Sequence, residues 1–277
     1  MVLESLFSAK AAERKPRKLF FMGFLYTSVA MWLSLWIFKS HASLVMVFLT
    51  VLAAVPLMYS TLLLEEEKDM QGYSESYLLK EHGKALSFFV FLFLGATLAF
   101  TFWYVVLPAD ITLQLFAVQT QTIADVNTQV TGAAVNSAAF FSRIFFNNLK
   151  VLIFCLIFSF LYGSGAIFIL TWNASVIGTA IGNFIRSNLT ADAGIFQYFE
   201  ITSLGLLRYF IHGIPEILAY FVGGLAAGII SIAVIRHDFT SKRFNAVVVD
   251  ASDLIVLAIA ILFGAALIEA FITPVLF

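Results

Sequence analysis

Charged residues are scarce in this chain: aspartate, glutamate, lysine and arginine make up only 12% of its 277 residues. A soluble domain carries about 25% of them. Hydrophobic residues reach 61%, and the mean hydropathy is +0.96. Soluble domains contain about 45–50% apolar residues. The composition therefore excludes a water-soluble globule.

Cysteine and histidine are too few and too scattered for disulfide or metal chemistry. Cys155 is the only cysteine and lies inside an apolar block, so neither an internal disulfide nor a cysteine-based zinc site can form. The four histidines stand far apart. No phosphate loop or dinucleotide fingerprint occurs. We therefore predict no catalytic residue, metal or cofactor and expect the chain not to be an enzyme.

The charge that is present also excludes one class of partner. The net charge is −1 and the basic residues stand in short clusters, so there is no footprint for nucleic acid. Work driven by ATP would require a partner chain. Membrane lipids are the first partners that the composition predicts.

Apolar residues gather in uncharged blocks of about twenty, the length that crosses a ~30 Å hydrocarbon core as a helix. The sequence predicts an all-α polytopic transmembrane bundle of six or seven spans, forming a single domain over 19–277. The predicted spans are 19–38, 42–64, 85–107, 144–162, 166–185, 215–235 and 254–273.

Two places favour broken or re-entrant helices. One is Gly163-Ser164-Gly165, which divides an apolar stretch too long for one span. The other is 212–216, because proline is favoured at the first position of a helix and disfavoured inside one. We expect a short half-helix over 204–212 and a full span that starts at Pro215.

The connecting segments differ in charge. Residues 1–18 predict an amphipathic basic helix lying on the cytoplasmic leaflet. Residues 65–84 are predicted to form a charged cytoplasmic loop. Residues 108–142 lack lysine and arginine, and we expect an outer loop with an amphipathic helix carrying Ile123, Val126, Val130 and Ala134.

The positive-inside rule sets the orientation. With the N-terminus in the cytoplasm, the segments 1–18, 65–84 and 236–253 hold 11 of the 16 basic residues. The sequence thus predicts a multi-pass protein of the plasma membrane with a cytoplasmic N-terminus.

Ionisable groups inside spans are costly, roughly 2.5–3.5 kcal/mol each on insertion scales. In this topology a group of polar residues falls in the outer third of the membrane. Its members are Arg143, Asn147, Asn148, Lys150, Asn183, Arg186, Arg208, His212, Glu216 and Glu269.

Two interpretations of this outer cluster stay open. One is an extracellular binding site held by Glu216 paired with Arg208 or Lys150. The other is a set of side chains that reach the interface, together with a network around a helix break. We favour the second for Arg143, Arg186 and Glu269, and both interpretations remain for His212 and Glu216.

Small residues recur at four-residue spacing, which lets helices approach closely. Packing within one chain is the preferred use, and a homodimer face is the alternative. The residues are Gly178, Gly182, Gly223, Gly224 and Gly228. An intramembrane serine protease is disfavoured, because Ser164 and His212 lie on opposite sides of the membrane in this topology.

The segment His212-Gly213-Ile214-Pro215-Glu216 resembles the HG-x-x-E signature of the stage II sporulation protein M family of integral membrane proteins. Upstream, 146–150 (FNNLK) and the following apolar run are also similar to that family. The resemblance covers about 85–275. It implies a membrane anchor for a complex of peptidoglycan-degrading envelope enzymes, and a fold like that of ABC-2 permease subunits, in which 1–18 and 65–84 could meet an ATPase.

Two functions follow as hypotheses. The first is a prokaryotic membrane scaffold or assembly subunit, non-enzymatic, with an outer loop available to protein partners. The second is a permease subunit or an autonomous transporter or channel. A transport site is expected near the bilayer centre. A cluster in the outer third therefore favours the scaffold.

Overall fold

The computed structural model describes residues 15–69, 75–131, 137–163, 165–189, 194–236 and 241–276. Nearly all of them are helical, and seven helices are long and apolar enough to cross a membrane. The predicted all-α polytopic bundle is confirmed. The helices are α1 Lys18–Ile37, α2 Ala42–Asp69, α3 Glu75–Val106, α4 Ala109–Leu115, α5 Ala117–Thr131, α6 Ser137–Tyr162, α7 Ala166–Asn188, α8 Ile195–Arg236, α9 Lys242–Leu267 and α10 Thr273–Leu276, with a π-helical turn, Ile268–Ile272, between the last two.

The two ends of the bundle are named here by α1. The N-terminal face is the end where α1 begins, and the opposite face is the end where α1 ends. Successive spans alternate in direction, so α2 ends and α3 begins at the N-terminal face, whereas α4 and α5 follow the end of α3 at the opposite face.

Helices α1 and α3 cross at very short range because each has a glycine at the crossing. A Cβ atom on Gly23 would lie 2.1 Å from the backbone oxygen of Leu92, and one on Gly95 would lie 1.9 Å from that of Phe20. No side chain fits either position. Such close backbone approach is how membrane helices gain packing without a hydrophobic driving force between them.

The central helix is α8, which packs against α9, α6, α7, α2 and α3. It is continuous over 42 residues and contains Pro215. The break predicted at 212–216 is therefore absent, as are the half-helix over 204–212 and a start at Pro215. Proline removes one backbone hydrogen bond, yet membrane helices tolerate it where neighbouring helices surround the freed group. The predicted break at 212–216 assumed the energetic cost that proline has inside the helices of soluble proteins.

The break predicted at 163–165 is present. Gly163 adopts φ +64° between α6 and α7. That left-handed conformation suits glycine, so the chain reverses direction there and two spans follow each other closely. Ser164 itself lies outside the described residues.

The stretch 65–84, predicted as a loop, is mostly helical. Helix α2 continues to Asp69, and α3 begins at Glu75. The charged residues therefore stand on two extended helices that face each other. Hydropathy placed the predicted helix ends where the charged residues begin. Helix propensity does not change at that point, so the helices can continue through the charged residues.

The segment 108–142, predicted as an outer loop, also differs from its prediction. It forms α4 and α5, and α6 begins at Ser137, earlier than the predicted 144. Of the four apolar positions assigned to an amphipathic helix, Ile123, Val126 and Val130 lie on α5, whereas Ala134 lies outside the described residues. The predicted interfacial helix also lies largely outside them, since residues 15–18 alone are described.

Candidate functional site

Two carboxyl groups come near each other in the apolar part of the bundle. Glu216 of α8 accepts a hydrogen bond from the side-chain amide of Asn148 on α6. Glu269 in the π-helical turn lies close enough to Glu216 for electrostatic interaction between the two carboxyl groups. Glu216 and Glu269 are called the carboxyl pair below.

A second contact fixes the register of the carboxyl pair. The Oγ1 atom of Thr273 lies 3.4 Å from Nδ1 of His212. Glu216 follows His212 by four residues, and Glu269 precedes Thr273 by four. Because α8 and the α9 segment run antiparallel, both steps lead one turn in the same direction. The two contacts are thus stacked one turn apart on the same pair of helices.

The π-helical turn Ile268–Ile272 lies in the segment that supplies Glu269. Beside it, Ala266 and Ala270 pack on Ile144 of α6. These small side chains let the turn lie close to α6, the helix that carries Asn148. Single π-helical turns inside α-helices are rare and frequently occur at functional sites.

The structure corrects the predicted partners of Glu216. Its carboxyl accepts from Asn148 and lies near Glu269, and among the described side chains it is ion-paired with no lysine or arginine. Lys150 is exposed, so the predicted pairing with Glu216 is absent. The side chain of Arg208 lies outside the described ones, but its helix position is four residues before His212.

Two further predictions for this cluster are revised. Glu269 was expected to reach the interface, but it is partly buried against Glu216. Asn147 is exposed, and its side-chain amide lies 3.5 Å from Oδ1 of Asn148.

The carboxyl pair is also deeper than the sequence predicted. Phe221 lines a small cavity together with Gly23 and Tyr26 from the first half of α1. Glu216 precedes Phe221 by five residues, about 7–8 Å along the helix. Glu216 therefore lies at about mid-height of α1 rather than in the outer third. Hydropathy could not show this, because α8 is much longer than one span.

The glycines of the signature region differ in their surroundings. A Cβ atom on Gly213 would meet nothing within 4 Å. By contrast, a Cβ on Gly223 would lie 2.5 Å from Leu152, on Gly224 2.7 Å from Ala166, and on Gly228 2.6 Å from Leu62. These three glycines serve packing within the chain, whereas Gly213 does not.

Gly178 and Gly182 lie on α7 against α3. A Cβ on Gly178 would lie 2.6 Å from the Cβ of Phe100, and one on Gly182 would lie 2.8 Å from Tyr104. The five glycines selected by their spacing therefore all face other helices of the same chain, and a homodimer face on them has no support in these contacts.

Comparison with protein-family models gives a match to Stage II sporulation protein M over residues 85–274. The chain belongs to the stage II sporulation protein M family. The match contains α6, α8 and the π-helical turn, and so includes the whole carboxyl pair. It begins after α2. Comparison with curated proteins and with solved structures found no match.

Outside the family region, buried charges form a second cluster at the N-terminal face. Glu65 of α2 is fully buried; it contacts Nδ1 of His82 at 2.7 Å and Nζ of Lys68 at 2.7 Å. Glu81 in turn contacts Lys68 and Lys84. We call this set the ion network.

Glu66 extends the ion network into the family region. It is fully buried, and its carboxylate lies 2.9 Å from Nη1 of Arg236 at the end of α8. The pair joins α2, which precedes the matched residues, to the central helix of the family region. Hydropathy did not indicate this network, because it predicted a loop over 65–84. The signal was an acidic run on a stretch of good helix formers.

Arg186, which was expected to reach the interface, instead closes the end of α3. Its guanidinium donates to the backbone oxygens of Tyr104 and Leu107, at 3.1 and 3.4 Å, and to Oγ1 of Thr112 at 3.0 Å. The last carbonyls of a helix lack internal partners and carry partial negative charge. The guanidinium of Arg186 therefore supplies both the missing hydrogen-bond donors and a positive charge at the end of α3.

Cavities in the described part of the bundle have mainly apolar walls. The central one lies between α1, α2, α3, α7 and α8, and Thr50, Thr171 and Tyr26 supply its few polar groups. A groove on α2 and α7 is lined by Leu44, Val45, Val47, Phe48, Phe168 and Trp172. Neither includes the carboxyl pair.

Proposed function

We propose that this family member is a membrane scaffold without enzymatic activity, which anchors protein partners at the plasma membrane of a prokaryote. Membership of the stage II sporulation protein M family supports the proposal. So do two cavities in the described part of the bundle, whose walls are mainly apolar. A closely packed apolar bundle suits an anchor, whereas a transport route needs polar groups along its length.

The observation that carries the proposal is the way α4 and α5 are held at the opposite face. We call them the α4–α5 platform (109–131). Phe116, between the two helices, is fully buried against Phe100 and Tyr104. The amide of Gln119 donates to the backbone oxygen of Ser43 at 3.2 Å and to Ser175 at 3.3 Å.

These contacts fix the α4–α5 platform to three spans. On its outward side, Thr120, Gln121, Ala124 and Asp125 are exposed. A surface that is polar, exposed and rigidly attached suits the binding of a partner protein, because little ordering is needed on association. By the positive-inside rule the platform faces the cell exterior, which suits envelope enzymes as partners.

Site-specific photo-crosslinking in the native membrane tests the proposal. A photoreactive residue is placed at Thr120 or Ala124 of the platform, at Val256 on the lipid-facing side of α9, or at Lys242 on the N-terminal face; all four positions are exposed. We expect one protein to be captured from both platform positions and from neither control, and to lose its membrane attachment when the chain is deleted.

Two results would contradict the scaffold. Capture of an ATPase from Lys242, with none from the platform, would support the permease subunit. Lipid adducts alone, combined with solute flux through vesicles containing the pure protein, would support an autonomous transporter. The depth of the carboxyl pair is the feature that keeps this second function worth testing.

A further inference from the structure

We propose that the exposed face of α6 around Lys150 binds a membrane-spanning helix of another protein, one that carries an aspartate or a glutamate near its midpoint. This face lies within the membrane and is separate from the α4–α5 platform. The inference therefore does not rest on the scaffold function, and the two can fail independently.

Lys150 stands at the middle of its span. The span covers Ala138–Tyr162, so Lys150 is equally far in sequence from either end. At 1.5 Å per residue each end is about 18 Å away, more than half of a ~30 Å hydrocarbon core. A lysine near the end of a span can extend its ammonium group to the headgroups. At this depth both interfaces are far beyond the length of the side chain.

The surface around Lys150 is apolar. Lys150 is exposed, and so are Phe146, Ile153 and Phe154, which lie one turn away on the same side of α6. None of the ion pairs among the described side chains includes Lys150. Charged groups at this depth are costly, and they almost always face the interior of a bundle or pair with another group. Lys150 does neither within the chain, so its counter-charge has to come from a partner.

Two further polar side chains lie on the same face of α6. Arg143 precedes Lys150 by two helical turns and Asn147 precedes it by one, and both are exposed. Arg143 is close enough to the start of the span to reach the headgroups. Asn147 adds a donor and an acceptor beside the ammonium group. The face thus presents positive charge inside an apolar surface, and its complement is a carboxylate on a neighbouring apolar helix.

A second copy of this chain is a poorer partner, because its acids are badly placed. Glu269 has the right depth, since it lies near Glu216, whose partner Asn148 is two residues from Lys150. However, Glu269 is half-buried and lies beside Glu216 in its own chain.

Asp253 of α9 is exposed but lies at another depth. A Cβ on Gly223 would lie 2.5 Å from Leu152 and 3.8 Å from Ala258, so these two residues are level. Counted from them, Asp253 is about 10 Å nearer the N-terminal face than Lys150. Two copies in the same orientation keep this difference, and the two groups would not lie side by side.

Helix association in vesicles tests the proposal with a defined probe. The full chain carries a donor fluorophore, and phosphatidylcholine is the lipid. The probe is a synthetic leucine–alanine helix with an acceptor fluorophore and one glutamate at its midpoint; matched helices have leucine or lysine there. By energy transfer, we expect the glutamate helix to bind roughly tenfold more tightly than the leucine helix.

Variants of the chain assign the effect to Lys150. Lys150→Leu should lose the preference for the glutamate helix, and Lys150→Glu should prefer the lysine helix instead. Because Lys150 is exposed, neither change removes a contact inside the bundle. Lys242→Leu, at an exposed position on the N-terminal face, is the control and should bind like the unaltered chain.

A second measurement uses the native membrane. A photoreactive residue at Phe154 should capture a protein whose own span carries an aspartate or a glutamate near its midpoint, and Lys150→Leu should abolish the capture. The same photoreactive residue at Leu25, on the exposed side of α1, is the control and should not capture that protein.

Three results would overturn the proposal. Equal binding of the glutamate and leucine helices to the unaltered chain would show that Lys150 does not attract a carboxylate. Adducts with lipid alone at Phe154 would show that this face contacts lipid, and adducts with a second copy would show a homo-oligomer. Capture from the α4–α5 platform alongside any of these would leave the scaffold function standing.

Discussion

Glutamates with side-chain partners inside the bundle occur at two levels, and those partners differ. At the N-terminal face, the buried Glu65 contacts His82 and Lys68, and the buried Glu66 contacts Arg236. At mid-height of α1, the half-buried Glu216 accepts a hydrogen bond from the amide of Asn148. Basic side chains balance the charge in the first case, whereas the partner in the second is a neutral amide.

The difference follows from depth. Near the end of a span, long basic side chains can bury their stems and still reach the headgroups or water. At mid-depth a basic group brings its own large desolvation cost, whereas a neutral amide donor such as that of Asn148 does not. Single substitutions at the two levels should therefore have very different effects on stability.

The largest effect is expected for Glu65→Gln. The change removes the buried carboxylate that contacts both His82 and Lys68, each at 2.7 Å. Removing one partner of a buried ion pair costs about 3–5 kcal/mol. The free energy of unfolding, measured by denaturant titration in detergent, should fall by that amount. Lys80→Gln, at an exposed position on α3, is the control. A loss for Glu65→Gln no greater than that of the control would show that the ion network does not stabilise the bundle.

A smaller effect is expected for Asn148→Ala, which removes the amide that donates to Glu216. An unsatisfied buried acceptor costs about 1–3 kcal/mol, so stability should fall by that range. Asn147→Ala is the matched control, because Asn147 is the adjacent residue with the same side chain and is exposed. Equal losses for the two variants would mean that the hydrogen bond to Glu216 contributes nothing.

Arg236→Gln should cost less again. The Arg236 side chain is 39% exposed, and Glu66 has a further interaction besides this pair. A half-exposed ion pair contributes about 1 kcal/mol or less, and salt weakens it. The loss measured at low ionic strength should shrink at high ionic strength. A loss as large as that of Glu65→Gln would show that α2 is attached to α8 mainly through this pair.

The smallest effect, and a gain, is expected for Gly213→Ala. The added methyl group meets no atom, and alanine is favoured over glycine in a helix by up to about 1 kcal/mol. Gly95→Ala should destabilise strongly, because its Cβ would lie 1.9 Å from a backbone oxygen. If Gly213→Ala is stable but fails in the photo-crosslinking assay, the signature glycine has a functional role and not a packing role.

Much of this fold could be predicted from composition and hydropathy. The apolar blocks have the length of a membrane span, and the number and type of elements follow from that. The turn at Gly163 was predicted because glycine is interposed in an apolar run. The family was predicted from the His-Gly and Glu positions of 212–216, and the family match confirms it.

The contacts of the site were harder to predict. Nothing in the sequence pairs Glu216 with Glu269, because the two positions are 53 residues apart and become neighbours only through the antiparallel packing of α8 and α9. Charge complementarity suggested Arg208 or Lys150 instead, yet Lys150 faces away from the bundle. Likewise, the ion network was missed because hydropathy marks where a membrane ends and not where a helix ends.

The most direct test of the two kinds of glutamate is a side-by-side measurement of unfolding free energy for Glu65→Gln and Glu216→Gln in the same detergent. We expect a loss of about 3 kcal/mol or more for the first, because it breaks a buried ion pair. We expect a loss of less than about 1 kcal/mol for the second, because glutamine keeps the shape of the side chain and an oxygen that accepts from Asn148. Equal losses, or a larger loss for Glu216→Gln, would contradict this difference between the two levels.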